Sequence, residues 1–248
     1  MAQNFVVQSP IFAAMGQNKL ERFAELKAMP NALEYPVDMK GNWHRFFGNS
    51  NPIILELACG KGEYALGLAR LYRNKNFLGV DLKGNRMWVG AKTAIADGLT
   101  NVGFLRSQIE RIDEYFNEGE VDEIWITFPD PQLRTSKAKK RLTHPRFLKL
   151  YQKIMGLQGI VNLKTDSPDL YNFTRMVINL FQLPLLTDKD DLYSGNDLNN
   201  ELLIKTHYEN LDIAGSSRIH YLRFGLNNAI TKDKEEQLKN ILSEQINN

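Results

Sequence analysis

Ile53-Ile54-Leu55-Glu56-Leu57-Ala58-Cys59-Gly60-Lys61-Gly62-Glu63-Tyr64-Ala65 opens with a short apolar run, turns at two glycines, and passes into Glu63 to Tyr72, where Leu66, Ala69 and Arg70 sit at helical spacing. Its periodicity predicts a strand, a tight turn and a helix. The same alternation recurs downstream. Phe77 to Val80, Val102 to Leu105, Ile124 to Phe128 and Gly159 to Leu163 read as strands; Arg86 to Ala96, Ile109 to Phe116, Pro145 to Met155 and Leu170 to Phe181 read as helices. Five such units in a row predict a doubly wound α/β fold, because parallel strands need crossover connections that lay helices on both faces of the sheet.

Outside this repeat the pattern changes. Residues 1 to 50 mix polar and aromatic residues without a clear period and read as an N-terminal extension, helical around Lys19 to Met29. Leu183 to Asn200 is a polar segment with Asp188, Asp190, Asp191 and Asp197, long enough to be a lid or a disordered connection. Leu202 to Tyr208 and Ile219 to Phe224, joined through Gly215, are expected to pair antiparallel at one sheet edge. Lys232 to Asn248 is charged and amphipathic and is expected to close the chain as a helix.

Composition narrows the classes of function. A chain of 248 residues with 43% hydrophobic and 24% charged residues supports one sizeable core and excludes disordered and fibrous classes. No stretch approaches the roughly 18 consecutive apolar residues of a membrane span, and the start lacks a signal-peptide pattern, so a cytoplasmic protein is expected. The single cysteine, Cys59, and the scattered His44, His144, His207 and His220 show no metal-ligand spacing, so no metal is expected. A net charge of +2 does not point to nucleic acid by itself. The placement of charge does.

Gly60, Gly62 and Ala65 satisfy G-x-G-x-x-A, and Asp81 stands about 20 positions later at a strand end, where an acid binds a ribose hydroxyl. Glu56 decides between cofactors. A carboxylate beside the glycines repels the pyrophosphate of a nicotinamide cofactor but suits the sulfonium and ammonium of S-adenosylmethionine. Further along, Thr127-Phe128-Pro129-Asp130-Pro131 holds an acid between two prolines at the carboxyl end of a central strand. Arg134, Lys137, Lys139, Lys140, Arg141, Arg146 and Lys149 follow with no intervening acid, a pattern suited to a phosphate backbone.

Taken together, Glu56 with Gly60-Lys61-Gly62-Glu63, Gly79-Val80-Asp81, Phe128-Pro129-Asp130-Pro131 with its basic run, Thr165-Asp166 and Thr206-His207-Tyr208-Glu209 resemble the bacterial tRNA guanine-N7 methyltransferases over about residues 51 to 224. The resemblance implies a Rossmann-like class I methyltransferase domain at 51–230, after the extension at 1–50 and before a helical tail at 231–248. It implies methyl transfer from S-adenosyl-L-methionine to the variable-loop guanine of tRNA (position 46), by a monomer or homodimer that engages tRNA and no membrane. It further implies that Glu56, Gly60, Gly62, Asp81, Gln108 and Asp130 bind cofactor, that Asp130 is catalytic, and that Arg134, Asp166, Thr206, His207, Tyr208 and Glu209 contact the substrate. Three positions depart from the family pattern: Ala58 replaces a glycine, Gln108 an Asp or Asn, and Gln132 a Trp. Two other readings stay open at this level, a nicotinamide oxidoreductase and a non-catalytic RNA-binding module.

Overall fold

The computed structural model describes residues 20–195, 198–211, 215 and 218–247. Residues 1–19 of the expected extension, Asp197 of the polar segment and Asn248 lie outside them.

Helix α1 covers residues 20–28. It is followed by β1 (Ala32–Glu34), α2 (Trp43–Phe47), β2 (Ile53–Leu57), α3 (Glu63–Leu71), β3 (Asn76–Asp81), α4 (Gly84–Ala96) and β4 (Val102–Arg106). The second half holds β5 (Glu123–Thr127), α5 (Pro145–Met155), β6 (Ile160–Thr165), α6 (Pro168–Phe181), β7 (Leu185–Lys189), β8 (His220–Gly225) and α7 (Lys232–Asn247). One eight-stranded sheet runs in the order β1-β4-β3-β2-β5-β6-β8-β7. The neighbours from β1 to β6 are parallel, and β8 pairs antiparallel with both β6 and β7.

The chain winds outward from β2 through β3 to β4, then returns to lay β5 on the other side of β2, with Leu57 opposite Ile126. Open α/β sheets bind ligands at the carboxyl ends of the strands at such a reversal. All five residues of β2 are buried, as a strand covered on both faces requires. One large core packs α5 and α6 on the sheet through residues such as Phe147, Tyr151, Leu170 and Phe181, and a second packs α3 and α4 through Tyr64, Leu68, Met87 and Ala91.

Four expectations need correction. Ile109 to Phe116 is a 3₁₀ turn over Ile109–Glu114, with non-helical backbone at Arg111 (φ −111°, ψ 16°). Its apolar anchors Ile109 and Ile112 are three apart and eclipse at three residues per turn, so no α-helical face forms. The polar segment from Leu183 contains β7, neither lid nor disordered over those residues. β7 is the edge strand, largely exposed, and its Thr-Asp-Lys ending hid it.

Consequently β8 has β7 as its hairpin partner instead of Leu202 to Tyr208, which forms turns. The carbonyls of Leu202 and Ile204 accept from the Lys164 ammonium of β6 (3.0 Å each), so they offer no strand ladder. Within the expected extension, β1 adds an edge strand parallel to β4, and Trp43 stacks on Phe116 at 4.9 Å while donating its indole N–H to the Tyr115 carbonyl.

Candidate active site

A cavity of about 700 Å³ opens at the carboxyl ends of β2, β3, β5 and β6. Of the residues singled out from sequence, Glu56, Gly60, Asp81, Asp130, Asp166, Thr206, His207 and Tyr208 all line it. Residues from four strand ends and from a loop more than 140 positions away from the glycine turn thus converge on one space. Gly62, Gln108, Arg134 and Glu209 do not line it.

The glycine turn is stretched between backbone and carboxylates. Ala58, Gly60 and Gly62 take φ of 56°, 56° and 68°. A side chain on Gly60 would enter open space within the cavity, whereas a Cβ on Gly62 would stand 2.3 Å from the Phe104 ring. Gly60 therefore leaves room for a ligand, and Gly62 makes room for a core aromatic. Asp81 orders the turn: its carboxylate accepts the Gly60 N–H (2.9 Å) and the Lys83 N–H (2.8 Å). Glu56 accepts the Ala65 N–H of α3 (2.8 Å) and the Thr127 hydroxyl (3.0 Å). Burial, with smaller repulsion from Glu63 and Asp81, pushes its carboxyl up to about 8. Cys59 is buried, and desolvation raises its thiol well above the ordinary value, which removes it as a nucleophile.

This donor set bears directly on the cofactor. The Gly60 and Ala65 amides that could cradle a phosphate are spent on Asp81 and Glu56, and the Gly62 amide donates to the Cys59 carbonyl (2.7 Å). A pyrophosphate would meet carboxylates where it needs donors, so the nicotinamide reading loses its physical support. A ligand with a sulfonium and an ammonium meets acceptors, and the open space beside Gly60 gives its body a place.

Opposite the turn, β5 ends at Thr127 and leads into Phe128, which takes φ 47°, and Pro129-Asp130-Pro131. Asp130 accepts the Gln132 N–H (3.0 Å), and Gln132 itself sits at φ 50°. The loop is fixed from below. Arg141 is buried, donates to the carbonyls of Pro131 and Gln132 (3.2 Å each), and lies 4.5 Å over the Phe173 ring. Arg141 thus belongs to the loop's foundation and leaves the surface charge run. Arg146 pairs with Glu110 and Lys149 with Glu235. Arg134, Lys137, Lys139 and Lys140 remain exposed around a 3₁₀ turn (Thr135–Lys140) beside the cavity.

The third wall is the segment 202–209. His207 donates its N–H to Glu63 (2.8 Å), which hangs Thr206, His207 and Tyr208 over the start of α3. Arg86 lies 5.8 Å from the Tyr208 ring. Beneath, the ammonium of Lys164 meets Glu209 at 2.9 Å; the Lys164 side chain is 0% and that of Glu209 4% exposed. Tyr193 adds its hydroxyl to the same carboxylate, so Glu209 faces inward, as the anchor of its segment. Desolvation lowers the Lys164 ammonium, and Glu209 counters it. Sequence reasoning missed Lys164, Glu63 and Thr127. The signal for Lys164 was a lone cation inside the strand pattern Ile-Val-Asn-Leu-Lys-Thr, since a strand buried on both faces excludes charge unless it is paired. Gln108, exposed after β4, begins the 3₁₀ turn that leads toward Glu114.

Among the described residues no group of three His, Cys, Asp or Glu is arranged to hold a metal ion, and no helix is long and apolar enough to cross a membrane.

Comparisons with known proteins agree with this geometry. Residues 50–221 match the family described as "Putative methyltransferase". The tRNA (guanine-N(7)-)-methyltransferase of Bacteroides thetaiotaomicron is 46% identical over 221 residues, covering 86% of this chain and 87% of the relative. The enzyme of the same name from Bacteroides fragilis is 47% identical over 219 residues, covering 85% and 86%. Among solved structures, the 16S rRNA methyltransferase KamB superposes with a TM-score of 0.56 at 14% identity, covering 75% of this chain and 92% of that one, a likeness of fold. On the strength of that identity and coverage, the chain belongs to the tRNA (guanine-N(7)-)-methyltransferase family.

Proposed function

We propose that the protein transfers a methyl group from S-adenosylmethionine to N7 of the variable-loop guanine of tRNA. The observation that carries this reading is the set of carboxylates, Glu56, Asp81, Asp130 and Asp166, around a single cavity, with exposed Arg134, Lys137, Lys139 and Lys140 following directly in the chain after its lining residue Leu133. Glu56, Gly60 and Asp81 hold the cofactor, which supplies an activated methyl on a sulfonium. Gln108, exposed on the loop after β4 and outside the cavity lining, is assigned to the cofactor on the family resemblance alone, and Gly62 serves the site by shaping the turn.

Guanine N7 carries a free lone pair at neutral pH, so the chain needs no general base. The wall residues supply alignment, which is worth about 7 to 11 kcal/mol in well-oriented reactions. Asp130 and Asp166 accept hydrogen bonds from the guanine N1 and N2 donors. They also stabilise the positive charge that grows on the purine during transfer. Thr206, His207 and Tyr208 bound the base from the third wall, Tyr208 with an aromatic face, and Glu209 fixes them through Lys164. Arg134 and its neighbours take the phosphate backbone. This enzyme works in the cytoplasm, with residues 51–230 as its methyltransferase domain, 1–50 as an extension and 231–248 as a helical tail.

Incubation with a labelled methyl donor and unmodified tRNA, followed by nucleoside analysis, is expected to yield 7-methylguanosine. Asp130→Ala lowers the rate by roughly 100-fold or more. Its melting temperature stays near wild type, because the exposed Asp130 carboxylate accepts a hydrogen bond from within its own loop. Labelled guanosine absent from the digest, or an Asp130→Ala variant that turns over normally, refutes the assignment.

A further inference from the structure

Leu133 stands at the mouth of the cavity and is 62% exposed, a large apolar side chain held toward solvent between Asp130 and the basic 3₁₀ turn. Its backbone is tied down. The Arg141 guanidinium donates to the carbonyls of Pro131 and Gln132 and reaches that of Leu133 at 3.5 Å, Gln132 sits at φ 50°, and Pro131 fixes the chain two residues before. A flexible loop could fold such a side chain away, but this one is braced outward beside four exposed cations.

The carboxylates that would read the base line the walls of the cavity, so a guanine whose N1 and N2 edge is to meet them both has to leave its stack and enter it. That departure opens a gap between the flanking bases and costs stacking energy. Apolar side chains such as leucine fill gaps of this kind by inserting between base steps. We infer that Leu133 is a wedge that occupies the place vacated by the target guanine and holds the tRNA open while the base sits in the cavity. This rests on the tRNA methyltransferase reading above. Arg134, Lys137, Lys139 and Lys140 then grip the backbone on the side of the gap from which the wedge enters.

The test combines single-turnover methylation with binding of a tRNA that carries 2-aminopurine immediately 3′ of the target guanine, with S-adenosylhomocysteine present. For Leu133→Ala, the rate at saturating tRNA falls about tenfold or more while the Kd for tRNA changes less than about threefold. The 2-aminopurine fluorescence increase expected with wild type disappears, and Leu133→Met restores both signals. A rate within about twofold of wild type, a rate decrease matched by an equal decrease in tRNA affinity, or a fluorescence increase that persists in Leu133→Ala overturns the inference. Failure of the functional reading looks different: wild type then gives no 7-methylguanosine, and the fluorescence arm still decides whether Leu133 unstacks the RNA.

Discussion

Glu56 sits 3% exposed with its carboxyl pushed up to about 8, so the unliganded protein carries a proton there that the unfolded chain gives up near 4.5. Between those two values the folded state binds more protons than the unfolded state, and stability contributed by this group falls as pH rises from about 4.5 to 8. Glu56→Gln keeps an acceptor for the Ala65 N–H and removes the ionisation. Its melting temperature is expected to exceed wild type increasingly toward pH 8, while its affinity for S-adenosylmethionine drops. A bound cation favours the ionised carboxylate, so cofactor binding releases a proton below pH 8. Calorimetry in buffers of different ionisation heats reads that release, and an identical heat in every buffer contradicts it. Nearby, Ala58 holds φ 56°, a left-handed conformation that favours glycine. The left-handed conformation costs a non-glycine residue about 1–2 kcal/mol, partly offset by glycine's larger unfolded-state entropy. Urea melts of Ala58→Gly should therefore show a gain of about 0.5–1 kcal/mol.

At the scale of elements, the segment 202–209 is held to β6 by one ammonium. Lys164 serves two carbonyls, a carboxylate and the Tyr193 hydroxyl at 3.3 Å. Removing one member of a buried pair leaves the other charge unmatched, at a cost of about 3–5 kcal/mol. Lys164→Met is expected to lose stability on that scale and to raise KM for tRNA by releasing Thr206 to Tyr208. Lys164→Met with Glu209→Gln recovers part of the stability, and equal melting temperatures for the single and double variants would contradict a coupled pair. These bonds also explain what sequence reading could and could not reach. Apart from Ile109 to Phe116, which forms a 3₁₀ turn where a helix was expected, the repeating strand and helix pattern was legible from β2 to α6, because each element carries its own periodicity and punctuation. Leu202 to Tyr208 looked like a strand because its apolar residues are real; a lysine from another element takes the carbonyls a strand would need. β7 was hidden for the opposite reason, since an edge strand keeps polar residues in solvent.

Across the whole molecule, the charge run resolves into separate jobs. Lys137, Lys139 and Lys140 are exposed, Arg146 and Lys149 are paired, and Arg141 is buried under the Asp130 loop. Replacing Lys137, Lys139 and Lys140 with glutamine should flatten the dependence of tRNA affinity on salt by about 0.7–0.9 in log–log slope for each phosphate no longer neutralised. Cofactor affinity stays as in wild type. Arg141→Gln should instead lower the methylation rate and leave the salt slope intact, because its bonds to backbone carbonyls hold the loop. The cleft residues were legible because the strand ends meet at one reversal of the sheet. The distinction between exposed and buried cations was not, since it depends on partners far along the chain.

Phe104 gives the glycine turn a lesson for anyone recombining relatives. Its ring lies within 3.1 Å of where a methyl would stand on Gly62, Gly79 and Gly90, residues of a turn, a strand and a helix. A chimera that imports the ring without the glycines inherits a clash, and one that imports the glycines without the ring inherits a hole. These four positions have to travel as one cassette, although only one of the three glycines belongs to the motif that a search for nucleotide binders would preserve.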